Sequence, residues 1–104
     1  PVLDTFVRAL PHNYRDVAAD DGAAVLVRVA GEAGDDWSLL RGDGRWTLHA
    51  GAAPDPAARV EMDADTAWRL FTKGVPREEA ERRVRIEGER RLGEPVLGAL
   101  AIMG

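Results

Sequence analysis

The sequence contains no cysteine, one lysine (Lys73), one serine (Ser38) and two histidines, His12 and His49. Without cysteine there is no disulfide, no thiolate nucleophile and no sulfur ligand for a structural zinc. The two histidines stand far apart, and neither belongs to a short-spaced ligand pattern such as H-x-x-x-H, so spacing predicts no metal centre. The single serine lies inside an alternating segment instead of at a strand-to-helix elbow, which argues against a nucleophile. No apolar run approaches the ~20 residues that span a bilayer, and no basic-then-apolar leader opens the chain. With 18 acidic against 14 basic side chains the net charge is −4, and arginines interleaved with glutamates lack the footprint of a phosphate-backbone binder. These absences predict a cytoplasmic chain with no nucleic-acid partner, no membrane partner, no metal or cofactor of its own and no catalytic residue.

What is present fits one domain. The 104 residues are 45% hydrophobic, enough for a single unaided core. Residues 2–10 place Leu3, Phe6, Val7 and Leu10 at helical spacing, with Pro11 expected to stop that helix. A helix beginning at the first residue, without a cap or an initiator methionine, reads as the continuation of something upstream. After a polar connection ending in Asp20-Asp21-Gly22, residues 23–30 alternate, with Val25, Val27 and Val29 on one face and Leu26 and Arg28 on the other. Residues 37–40 and 45–49 form two short strands around Gly42-Asp43-Gly44, a hairpin signature. A Pro/Ala/Gly loop covers 50–56, and residues 59–63 alternate again. The period then lengthens. Asp65 is expected to cap a helix carrying Ala67, Trp68, Leu70 and Phe71, which Gly74 ends. Pro76 opens a short charged helix, residues 84–87 read as a fifth strand with Gly88 as a turn, and a last helix runs over 91–103 around Pro95. The fold class is α+β: two layers, a roughly five-stranded, mostly antiparallel sheet, and helices packed on one face.

Most candidate sites have plain readings. The acidic pairs Asp20/Asp21 and Asp35/Asp36 sit beside glycines as turn carboxylates. Glu61, Asp63 and Glu87 read as solvated sheet-face carboxylates, and the arginines and glutamates between 77 and 91 as a salt-laced surface. The informative segment is the last helix, apolar throughout from Val96 to Met103. Leu92, Val96, Leu100 and Met103 make a core stripe, whereas Leu97 and Ile102 point elsewhere. A helix apolar all round is covered on more than one side. Trp68, Phe71, Leu97, Leu100, Ile102 and Met103 are therefore the candidate lining of an apolar ligand site or an interface.

The run Asp63-Ala64-Asp65-Thr66-Ala67-Trp68-Arg69-Leu70-Phe71-Thr72-Lys73-Gly74, then Val84-Arg85-Ile86-Glu87-Gly88-Glu89 and the leucine-rich last helix, resembles the C-terminal domain of the mycothiol-dependent maleylpyruvate isomerase family. Leu3 to Pro11 and Tyr14-Arg15-Asp16 suit the start of that domain, so the resemblance covers nearly the whole chain. It implies a sterol-carrier-like fold and a two-domain parent. The N-terminal helical bundle of that parent would hold a divalent metal, zinc by preference, on histidines and a carboxylate, and mycothiol would react there. Some relatives carry Gly-Arg where this chain has Lys73-Gly74, which makes Lys73 the candidate anion contact, and Glu89 stands where aspartate is common. Residues 1–104 are then a single accessory C-terminal domain that helps to form or cover a site on the missing bundle. The alternatives are a stand-alone sterol-carrier-like binder of a small apolar ligand and a protein-interaction module, with a homodimer as a further candidate assembly.

Overall fold

The computed structural model describes residues 8, 10–30, 35–67 and 76–100. Five strands, β1 (Ala24–Ala30), β2 (Asp35–Gly42), β3 (Arg45–Ala50), β4 (Ala58–Asp63) and β5 (Arg85–Gly88), form one sheet in the order β3-β2-β1-β4-β5. The pairs β1–β2, β2–β3 and β4–β5 are antiparallel, and β1–β4 is parallel. The helices are α1 (Leu10–Asn13), α2 (Arg77–Arg83) and α3 (Arg90–Leu100), with residues 64–67 helical as well. The β2–β3 hairpin turns on Asp43 and Gly44, at φ 53° and 76°. Two successive positive φ angles are what a two-residue type I′ turn requires.

The register sorts the side chains. Val25 faces Leu39 on one neighbour and Ala58 on the other, and Val27 faces Trp37 and Val60. These residues, with Val29, Trp46 and Met62, form the helix-side face. It packs on Leu10 and Tyr14 near α1, Ala67, Ala80 of α2, Val84, and Leu92, Val96 and Leu97 of α3. Gly93 lets α3 close onto β5, since a Cβ there would lie 2.6 Å from Ile86 Cγ2. Tyr14 ties α1 to α3, its hydroxyl donating to the Leu92 carbonyl at 2.5 Å. Burial pushes that phenol well above its ordinary pKa.

The opposite face carries a row of alternating charge, Asp36, Arg28, Glu61 and Arg85, adjacent on four consecutive strands. Arg28 grips Asp36 with two hydrogen bonds, Nε to Oδ1 at 2.8 Å and Nη2 to Oδ2 at 3.1 Å. The Arg28 hydrogen bond holds the Asp36 carboxyl below its usual range. A carboxyl depressed in the folded state contributes stability above its unfolded pKa, about 3.9, and loses it as pH falls through the folded value. Asp36→Asn is therefore expected to flatten the acid limb of thermal stability and leave it little changed near neutrality, because the pair is largely solvated. Melting temperature against pH for both proteins checks this; parallel acid limbs would refute it.

Three expectations change. The expected helix over residues 2–10 lies mostly outside the described residues, and Pro11 itself is helical, the second residue of α1, where the Tyr14 N–H closes the turn on Leu10 and Pro11 carbonyls, each at 3.1 Å. Proline's fixed φ is helical, and in a first turn its absent N–H forfeits no bond. The cap of the helix beginning at 64 is Asp63, not Asp65, with Oδ1 accepting the Thr66 N–H at 2.6 Å. The chain passes from β4 into the helix with no linker, so the strand's last carboxylate does the capping. Leu26, on the face shared with Arg28, is only 1% exposed.

The cover over that face has a topological cause. β3 and β4 lie on opposite sides of the β2–β1 pair, so residues 51–57 must cross roughly three strand spacings of ~4.8 Å. They do so as a strap. Ser38 anchors it, its hydroxyl donating to the Gly51 carbonyl at 2.7 Å and accepting the Ala53 N–H at 2.8 Å. The Gly51 N–H adds a bond to the Asp36 carbonyl at 2.9 Å.

Candidate functional site

The helix-side face is not uniformly covered. Val25, Val27, Val29, Leu39, Val60 and Met62 are buried, while Trp37 and Leu48 are half-buried and Ala50 is exposed. Register explains their proximity: Trp37 pairs with Ala50, and Leu48 pairs with Leu39, two residues along β2. Together with Arg8 they line a cleft of about 390 Å³. Its wall is an indole and a leucine, and its border carries a guanidinium. That arrangement suits an apolar body lying on the sheet.

A second cleft, about 460 Å³, lies at the end of the sheet between residues 18–23 and the start of α3. Arg91 Nη1 donates to the Ala18 carbonyl at 2.6 Å there, and Asp20 and Glu89 share the lining. Between these regions is a packed polar-aromatic cluster. Tyr14 meets Trp46 edge to face at 5.2 Å, and the Val17 carbonyl accepts both Trp46 Nε1–H at 3.0 Å and Arg41 Nη1–H at 3.3 Å. The Arg41 guanidinium lies 5.8 Å from the Trp46 ring centroid, a cation–π distance. Arg41 Nε is buried with no hydrogen-bond acceptor among the described residues.

Of the candidate lining residues, Leu97 is described, and it is wholly buried in the domain's own core. It presents no surface to a partner. Trp68, Phe71, Lys73, Ile102 and Met103 lie outside the described residues, as does the side chain of Leu100. The residues that line the helix-side cleft, Trp37 and Leu48, were not singled out from the sequence. Their alternation with Leu39 and Trp46 was the available signal. Ser38 and His49, distant in sequence, are direct cross-strand partners. They form no nucleophile–base pair, because Ser38 donates to Gly51 and the His49 Nε2 bonds Thr47 Oγ1 at 2.8 Å. His12 is exposed on α1. Among the described residues no group of three or more His, Asp or Glu is placed to hold a metal ion. No helix among them is long and apolar enough to cross a membrane. The arginine–glutamate surface takes the expected form, with Arg83–Glu79 at 3.0 Å, Arg90–Glu94 at 3.0 Å and Arg90–Glu81 at 3.1 Å.

No protein-family model matches the chain, and no curated protein matches it significantly. Solved structures do. The chain is similar to palmitated SCP2L2 from Aedes aegypti, at 8% identity over 95% of this chain and 90% of that one, with a TM-score of 0.68. It is similar to sterol carrier protein 2 from Yarrowia lipolytica, apo form, at 12% identity over 94% and 86%, TM-score 0.62. A double mutant of the sec-alkyl sulfatase PisA1 is similar at 21% identity over 97% of this chain but 16% of that one, TM-score 0.62. At such identities the likeness is one of fold. It meets the sterol-carrier half of the sequence expectation, while the isomerase-family half rests on the quoted motifs.

Proposed function

From a sterol-carrier-protein-2-like fold, we propose that this chain is a binding domain for a small apolar ligand, held in the helix-side cleft against Trp37, Leu48 and Ala50. The observation that carries this reading is the cleft of about 390 Å³ over a sheet face whose central strands, β1 and β4, are buried. That volume falls within the range of small-molecule pockets, which are lined mainly by apolar and aromatic side chains. Burying an alkyl or ring body there contributes roughly 25 cal/mol per Å² of apolar surface removed from water. Arg8 at the border favours a ligand with an acidic or polar end. On the segments beyond, Trp68, Phe71, Leu100, Ile102 and Met103 are proposed as further lining, and Lys73 as an anion contact. The name of the palmitated Aedes aegypti protein lends support by fold.

The test is a thermal and NMR titration of the chain with decanoate. The expected result is saturable shifts at Trp37, Leu48 and Ala50, and a stability gain of about 2.7 kcal/mol at a hundredfold excess over Kd. Leu48→Trp, which fills the cleft, should abolish both. Saturable shifts elsewhere, or none, would overturn the reading.

A second reading is the accessory role: the domain covers a site on a separate metal-binding bundle of a mycothiol-dependent isomerase or transferase. It is favoured by the quoted motifs, and by the same fold occurring as 16% of a much larger enzyme. The described residues do not make a metal site, so the divalent metal and mycothiol belong, on this reading, to the other domain. The sequence preceding Pro1 in the native polypeptide decides: spaced His and Asp/Glu ligands support this role, and their absence sinks it.

A further inference from the structure

We propose a second ligand site on the opposite face of the sheet, in a cleft beside the strap, for a small neutral apolar molecule carrying one hydroxyl, such as a phenol. The cleft measures about 380 Å³. Its floor is Ala24 and half-buried Leu40, its wall is the strap over 51–54, and Ser38 and His49 stand at one end. Two features make it a preformed space. The strap is fixed by three hydrogen bonds, from Gly51 N–H to Asp36 O, from Ser38 hydroxyl to Gly51 O, and from Ala53 N–H to Ser38 Oγ. The strap residues 51–54 are glycine, two alanines and a proline, which have no side chain long enough to fold in and fill the space.

Among the described residues the lining contains no Arg, Lys, Asp or Glu. An ionic ligand would therefore be desolvated there without a counter-charge. The polar feature is His49. Its Nε2 lies 2.8 Å from Thr47 Oγ1, which also lies 3.5 Å from the Leu40 carbonyl oxygen. With Nε2 engaged by Thr47, Nδ1 is the ring nitrogen left to bond a ligand, as donor or acceptor according to the tautomer, and a hydroxyl can meet either. The site thus offers an apolar slot with an imidazole at its rim. Its volume lies near the lower end for small-molecule pockets. A one-ring compound fits within it.

The experiment is a two-dimensional amide NMR titration of the chain with p-cresol, toluene and 4-methylbenzoate. The expected result is saturable shifts at Ala24, Leu40, His49 and residues 51–53, with p-cresol about fivefold tighter than toluene, the worth of one net hydrogen bond. 4-Methylbenzoate should bind more weakly than either. His49→Phe should erase the cresol preference while toluene still binds. Leu40→Trp should weaken all three about tenfold by overfilling the slot, with the dispersed spectrum reporting an intact fold. No saturable shift at these residues, shifts centred on Trp37 and Leu48, equal binding of cresol and toluene, or tighter binding of the benzoate would each overturn the proposal. The two clefts lie on different faces, so failure here leaves the helix-side reading standing, and the reverse holds.

Discussion

Trp46→Ala is expected to cost about 3–5 kcal/mol of unfolding free energy, the range for truncating a large buried aromatic. Trp46 is 5% exposed and ties the β2–β3 hairpin to the segment holding Tyr14 and Val17, which is remote in sequence. Its ring takes the edge of Tyr14, its Nε1–H serves the Val17 carbonyl, and its face lies beside the Arg41 guanidinium. Truncation removes the dispersion contacts, opens a cavity and takes the aromatic face away from a guanidinium whose Nε already has no acceptor. Against the 5–15 kcal/mol typical of a domain, that is a large share. Trp46→Phe keeps a ring and loses the Nε1–H bond, so it should cost about 1–2 kcal/mol. Urea melts separate the two. A loss below about 1 kcal/mol for the alanine variant would place Trp46 outside the core, since surface changes stay near 0.5 kcal/mol.

The second large effect belongs to Gly88, where β5 ends. Its φ is +83°, and an added Cβ would strike the Ala57 carbonyl oxygen and lie 3.1 Å from Ala58 Cα. Both are backbone atoms, Ala58 the first residue of β4 and Ala57 the residue before it, and Ala57 O also accepts the Glu89 N–H at 2.8 Å. Neither can step aside without breaking the β4–β5 edge. Gly88→Ala should therefore cost on the order of 3 kcal/mol, combining left-handed strain with a steric clash. Gly22 is the internal control. Its φ is +96° with nothing within 4 Å of the built Cβ, so Gly22→Ala should cost about 1–2 kcal/mol from backbone strain alone. Equal losses in the two variants would show that the close approach at Gly88 is relieved by relaxation.

The strands were legible because period-two alternation survives in a short local window. Val25, Val27 and Val29 declare a face, and Gly42-Asp43-Gly44 declares the turn, although Asp43 takes one of the two positive φ angles. What local pattern does not carry is which strand lies beside which. The crossing of residues 51–57 follows from the β3-β2-β1-β4-β5 order, and that order buries Leu26 beside Arg28 and turns Ser38 into an anchor. Tyr14 fell within what read as a polar connection, yet it is wholly buried, because its hydroxyl finds Leu92, a residue no local window contains. The candidate site shifted for the same reason. The apolar terminal helix drew attention to Leu97, which the domain's own core consumes, whereas Trp37 and Leu48 stay half-covered through the placement of other elements.

The strap also sets an order of events in time. Strands β1 to β3 are consecutive and antiparallel, so each pairing closes a short loop. The β1–β4 pairing joins residues some thirty positions apart, and loop closure grows costlier with separation. A strap that crosses β2 and β1 has nothing to cross until those strands have met. The three-stranded meander is thus the earlier structure, and β4 with β5 zips on afterwards. Stopped-flow kinetics should show it: Leu39→Ala should mainly slow folding, and Val60→Ala should mainly hasten unfolding. The reverse partition would mean that the far side of the sheet assembles first and the chain threads its meander beneath a strap already in place.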